Sequence, residues 1–182
     1  MKTLKTIQTL AKIGKVLSCI AFIFACIGFG GSVVGALSAA FGGGFAIKLG
    51  GVTIYDLFGG ARYSELEGVC AALLGWMIVC AGEAVVAKFA ELYFKRELAA
   101  GTPFTLSGAK ELTRLGVLTL AVPTGCAVLA AVVSGIAASF LRAGEAMDVH
   151  FDNGASITLG VMFLVAALLC RLGAEQAQVR QA

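Results

Sequence analysis

Charge is almost absent from four long stretches of this chain and is crowded into its ends and the gaps between them. The first stretch runs from Val16 to about Phe41 without a charge. The second runs from about Leu66 to Phe89, interrupted by Glu83 and Lys88. The third, Leu115 to Leu141, is uncharged, and the fourth runs from about Ser156 to Cys170 and is ended by Arg171. A membrane-spanning helix needs about 20 mostly apolar residues, so four spans and their connections account for nearly all 182 residues. The expectation is a single four-helix transmembrane domain over 1–182, with no separate soluble domain. Composition agrees. The chain is 59% hydrophobic and 14% charged, against about a quarter charged in soluble domains, and its mean hydropathy is +0.92. A disordered chain, a nucleic-acid-coating basic protein and an ordinary soluble enzyme are thereby excluded.

The placement of the cations predicts the orientation. Lys2, Lys5, Lys12 and Lys15 precede the first span with no acid among them. Lys88, Lys95, Arg96, Lys110 and Arg114 cluster around the middle gap, and Arg171 and Arg180 follow the last span. The outer two gaps hold only Lys48, Arg62 and Arg142, with Asp56, Glu65, Glu145, Asp148 and Asp152 beside them. Lysine and arginine concentrate in cytoplasmic loops. Both termini and the central loop are therefore expected in the cytoplasm and the two acidic loops outside, in a plasma or inner membrane. A cleavable signal ending near Ala36-Leu37-Ser38-Ala39 is the other reading of the N-terminus. Its apolar run is longer than a signal core, and cleavage would put the tail opposite the basic loop. The six cysteines all fall inside the spans, which suits small apolar fillers better than metal ligands or disulfides.

The two halves, 1–94 and 95–182, carry a weak parallel repeat. Leu10, Lys12, Ile13 and Gly14 match Leu112, Arg114, Leu115 and Gly116, and Gly68-Val69 matches Gly160-Val161. Glu83 and Lys88 match Glu175 and Arg180. Both outer loops read as hairpins. Residues 45–55 place β-prone runs on either side of Gly50-Gly51, and residues 147–157 alternate before Asn153-Gly154. Because a lone hairpin is marginal in water, the two are expected to pair into one small extracytoplasmic sheet on an otherwise all-α protein.

Four features carry chemistry. Glu83 is an acid within a span, which by default suggests function. Its match to Glu175, beyond the last span, places it near the cytoplasmic interface, where an ion pair with Lys88 is the commoner expectation and ion coupling the sharper one. Asp148, His150 and Asp152 share one face at strand spacing and have donors for a divalent metal, though such a row is more often the wet face of a hairpin. The N-terminal segment, with Leu4, Ile7, Leu10 and Gly14 at helical spacing and Lys5, Lys12 and Lys15 off that stripe, resembles a basic amphipathic helix on the inner leaflet. In the central loop, Gly101 can end a helix, Pro103 discourages restarting it, and Thr105 or Ser107 can cap the next. Phosphate-binding, zinc-protease and nucleophile-elbow motifs are all missing. Neither enzymatic activity nor a cofactor is expected.

The run Leu92-Tyr93-Phe94, then Gly101-Thr102-Pro103-Phe104-Thr105, then Leu112-Thr113-Arg114-Leu115-Gly116 resembles the signature of the bacterial membrane family called domain of unknown function 2975. Leu106-Ser107-Gly108 departs from the acid-Asn the family often carries, and Arg171-Leu172-Gly173-Ala174-Glu175 matches its tail in part. The resemblance implies a four-span membrane protein without established activity, whose members often neighbour a very small helix-turn-helix regulator. Three functions follow as expectations. The first is a membrane-anchored partner of such a regulator, binding through Lys95, Arg96, Phe104, Lys110 and Arg114 without touching nucleic acid itself. The second is a small transporter or exporter acting as a homo-oligomer. The third is an outer-face sensor or immunity-type protein.

Overall fold

In the computed structural model, residues 2–40, 48–49, 52–53, 66–100, 106–141 and 154–179 are described. The elements are α1 (Lys2–Ala40), β1 (Lys48–Leu49), β2 (Val52–Thr53), α2 (Leu66–Ala100), α3 (Leu106–Leu141) and α4 (Gly154–Val179). Each helix contains one apolar stretch long enough to cross a bilayer: Gln8–Ser38, Gly68–Ala99, Leu106–Phe140 and Ser156–Gln176. The helices overrun the expected spans because nothing in the flanking sequence stops them. α1 is one helix of 39 residues, about 58 Å at 1.5 Å per residue. The basic N-terminal segment is its first turns and not a separate helix. α2 ends at Ala100, one residue before Gly101, and α3 begins at Leu106, just after Thr105, as the helix-stop and helix-cap chemistry of the central loop implies.

The expected sheet of two paired hairpins is overturned: apart from the two-residue strands β1 and β2, the described residues are all helical. Among the described residues, the pairing around Gly50-Gly51 comprises two residues a side, Lys48 with Thr53 and Leu49 with Val52, which is too short for a sheet with a packed face. The second expected hairpin cannot form as drawn, since Gly154 to Ile157 are the opening turn of α4. An Asn-Gly pair before an apolar run is a hairpin signal, but Asn also ranks among the best residues for preceding a helix. With 16 uncharged, mostly apolar residues from Ala155 to Cys170 needing a backbone satisfied in lipid, the helix prevails.

The chain divides into two compact units. Unit 1 comprises Met1–Ile23, Glu83–Pro123 and Asn153–Ala182, and unit 2 comprises Phe24–Gly82 and Thr124–Asp152. Each draws on both halves of the sequence repeat. α4 belongs wholly to unit 1, so unit 1 contains segments of all four helices.

Unit 2 packs α1 against α2. Ala36, Val69 and Leu73 form its buried cluster, with Cys70 against it. Gly35 leaves room for Leu73, whose Cδ1 would lie 2.9 Å from a Cβ there. Gly28 does the same for Cys80. Small residues that admit a neighbour's side chain are the usual means of tight helix packing in lipid.

Unit 1 is built around Ala90, Tyr93, Leu112, Leu115 and Ala167, with Phe94, Phe163 and Cys170 packed on them. Gly14 on α1 faces the ring of Phe94 on α2, 2.7 Å from the place a Cβ would occupy. Several hydroxyls in both units are satisfied within their own helix, the local solution available in lipid, although the buried Ser134 Oγ has no hydrogen-bond partner among the described residues. Ser18 donates to the Gly14 carbonyl, Ser32 to Gly28 and Thr119 to Leu115, each at 2.8 Å. The six cysteines form no disulfide.

Candidate functional site

Every described lysine and arginine except Lys48 lies in unit 1. The expected partner-binding cations therefore have a common setting. Arg96, near the end of α2, pairs through Nη1 with Glu111 Oε1 on α3 at 2.8 Å. This pair bridges the two helices across the central connection. Arg114, one turn further along α3, lies with its guanidinium carbon 5.9 Å from the ring centroid of Phe89, within cation–π range. Lys95 and Lys110 are exposed, and neither forms an ion pair among the described residues. Phe104 lies outside the described residues, as do Asp148, His150 and Asp152. Among the described residues, no cluster of His, Cys, Asp or Glu could hold a metal ion.

Lys110 and Arg114 border an open groove of about 1050 Å³ that reaches from the first turns of α3 to Arg171 and Glu175 on α4. Arg171 and Glu175 neutralise each other at 2.9 Å, and Glu111 is engaged by Arg96. The two charges left over on the groove are both positive. Leu106 and Ala109 supply an apolar wall, and Leu106 is 45% exposed. The arrangement suits a partner that offers carboxylates next to an apolar side chain.

The second place of interest surrounds Glu83. The expected ion pair with Lys88 does not form: Lys88 Nζ binds Glu91 Oε2 at 2.8 Å and lies 5.1 Å from the Phe22 ring centroid. Helix geometry explains this. Five residues along a helix end about 140° past a full turn, whereas three end about 60° short of one, so Glu91 and not Glu83 stands beside Lys88. Glu83 instead lines an open cavity of about 330 Å³ to which all four helices contribute. Residues on one face of each helix converge there: Ser18 and Ala21 on α1, Glu83 and Ala87 on α2, Thr119 and Pro123 on α3, and Leu159 and Phe163 on α4. No hydrogen bond or ion pair to the Glu83 carboxylate forms among the described residues. The hydroxyls of Ser18 and Thr119 are committed to backbone carbonyls. Glu83 is itself exposed along the open side of this cavity, and an acid within a membrane-spanning helix is a functional candidate by default.

Sequence reading missed the cavity, because Ser18, Thr119 and Ser156 carry no motif and Pro123 looks like an incidental helix proline. The one available signal was that Glu83, Ala87 and Ala90 share a helical face while Lys88 does not. Sequence reading also missed Glu97, whose Oε1 is buried without a hydrogen-bond partner among the described residues.

The apolar helices present their side chains outward. Phe24 is 69% exposed, Val128 62% and Phe140 85%, far beyond what a soluble monomer shows to water. The protein is a multi-pass membrane protein whose outer surface suits lipid. No family model matches the chain, and no curated protein or solved structure is similar to it.

Proposed function

We propose that this protein anchors a small cytoplasmic regulator at the membrane, through the groove bordered by Lys110 and Arg114. The carrying observation is charge: the groove retains two cations after Arg171–Glu175 and Arg96–Glu111 have cancelled. Lys and Arg favour the cytoplasmic side, which puts this surface where a cytoplasmic protein can reach it. The partner is a small protein with an acidic and partly apolar face, and the resemblance in the central connection points to the helix-turn-helix regulator class. Lys95, exposed beside Arg96, extends the same cationic surface.

The test is crosslinking in intact cells, followed by purification of the tagged protein from membranes and identification of what travels with it. A small DNA-binding protein recovered with the wild type and lost from a Lys110→Glu, Arg114→Glu variant supports the proposal, provided that the variant reaches the membrane in normal amount. Equal recovery from both, or recovery of the protein only with itself, overturns it.

A further inference from the structure

The cavity at Glu83 combines three properties that ordinarily occur apart. It is bounded by apolar side chains from all four helices, it contains one carboxylate, and that carboxylate has no cationic partner among the described residues. Small-molecule sites typically occupy ~300–1,000 Å³ with apolar walls and a few placed polar groups, and this cavity of about 330 Å³ is at the small end of that range.

Its one charged side chain is acidic. Lys88, the nearest basic residue along α2, is turned away to Glu91. Pro123 has no N–H and so cannot donate to the carbonyl of Thr119, the residue four positions earlier on the same wall. The wall therefore carries a carboxylate, the Ser156 hydroxyl, a residue whose carbonyl lacks its usual helical donor, and the aromatic ring of Phe163. A carboxylate, a carbonyl dipole and a ring face all favour positive charge. The apolar remainder disfavours a strongly hydrated ion such as magnesium, which dehydrates reluctantly.

We propose that this cavity is a binding site for a lipophilic monovalent cation, an aromatic or alkyl ammonium or phosphonium species, held by Glu83 within the four-helix portion of unit 1. The site is independent of the groove at Lys110 and Arg114, and neither proposal depends on the other.

The experiment uses the full chain purified in lipid nanodiscs and radiolabelled tetraphenylphosphonium as the probe, with empty nanodiscs subtracted. Saturable binding is expected. Glu83→Gln is expected to weaken it at least about tenfold, as removal of one member of a desolvated charge pair does, and Glu83→Asp to retain most of it. Triphenylphosphine oxide, of similar shape and no charge, should not compete. If Glu83→Gln does not elute as a folded species, Ala21→Phe decides: it fills the cavity from an exposed α1 position, leaves the carboxylate in place, and should also abolish binding. No saturable binding to the wild type, binding undiminished in Glu83→Gln or Ala21→Phe, or equal competition by the neutral oxide overturns the proposal.

Discussion

Gly160 on α4 faces Leu120 on α3 so closely that a Cβ on the glycine would stand 2.6 Å from the leucine Cγ and 3.2 Å from the Gly116 carbonyl oxygen. The relationship is reciprocal: Gly116 on α3 faces Leu164 on α4, with Cγ 2.9 Å and the backbone nitrogen 3.1 Å from a Cβ there. Each helix thus offers a glycine and, four residues on, the leucine that fills the other's gap. The contact holds α4 against α3 within unit 1, where both helices line the Glu83 cavity. Gly160→Ala should lower the thermal midpoint in detergent, by about 1–3 kcal/mol of overpacking, because Cγ is the branch point of the leucine and cannot swing clear alone. Gly160→Ala with Leu120→Ala should cost less than the two single changes added together. Strict additivity in that cycle would count against the contact.

Gly30 and Gly125 provide the contrast, since a Cβ at either meets nothing within 4 Å. On α1, Gly35 is pressed by Leu73, whereas Gly30 is not. Ala at position 30 or 125 should be neutral, or stabilising by about 0.5–1 kcal/mol through reduced backbone freedom. The same thermal unfolding measurement checks this, and a large loss at Gly30 would reveal a contact with a second copy.

Glu83→Gln should leave the thermal midpoint unchanged or raise it. An interfacial ion pair with Lys88 would make the same substitution destabilising. Glu83 has no ionic partner among the described residues while Lys88 is bound to Glu91, so removing the charge removes only its desolvation cost. Measuring Glu91→Gln beside it completes the comparison, because that change does break a pair.

Arg96→Ala should cost little stability, on the order of a few tenths of a kcal/mol, because its partner Glu111 is partly solvated and the arginine side chain is 68% exposed. The effect should shrink further at high salt. Partner recovery should fall less than in Arg114→Glu, since Arg96 is already spent on Glu111. A larger loss of partner from Arg96→Ala would relocate the docking surface.

Topology can be checked with reporters that work on one side only. A green fluorescent protein at the C-terminus should fluoresce, as it does in the cytoplasm, and alkaline phosphatase placed after residue 50 should be active. The opposite pair of results would reverse the orientation inferred from Lys and Arg.

Four helices were legible from the chain alone because lipid leaves the backbone few choices: a long uncharged run must satisfy its N–H and C=O groups internally, and helix is the local way to do so. The stop at Gly101 and the restart after Thr105 were legible for the same reason, being set by residues within a turn of the boundary. The second hairpin was misread because Asn153-Gly154 begins either a turn or a helix, and only the length of the apolar run that follows decides between them. What the sequence left open is everything that depends on which faces meet. Glu83 and Lys88 are near in number yet point apart, by helix geometry. Ser18, Thr119 and Phe163 are far apart in number yet share a cavity with Glu83. Glycines alike in sequence differ, too: a leucine crosses at Gly160, but nothing does at Gly30. Local chemistry fixed the helices, and the packing of one helix on another decided which side chains they bring together.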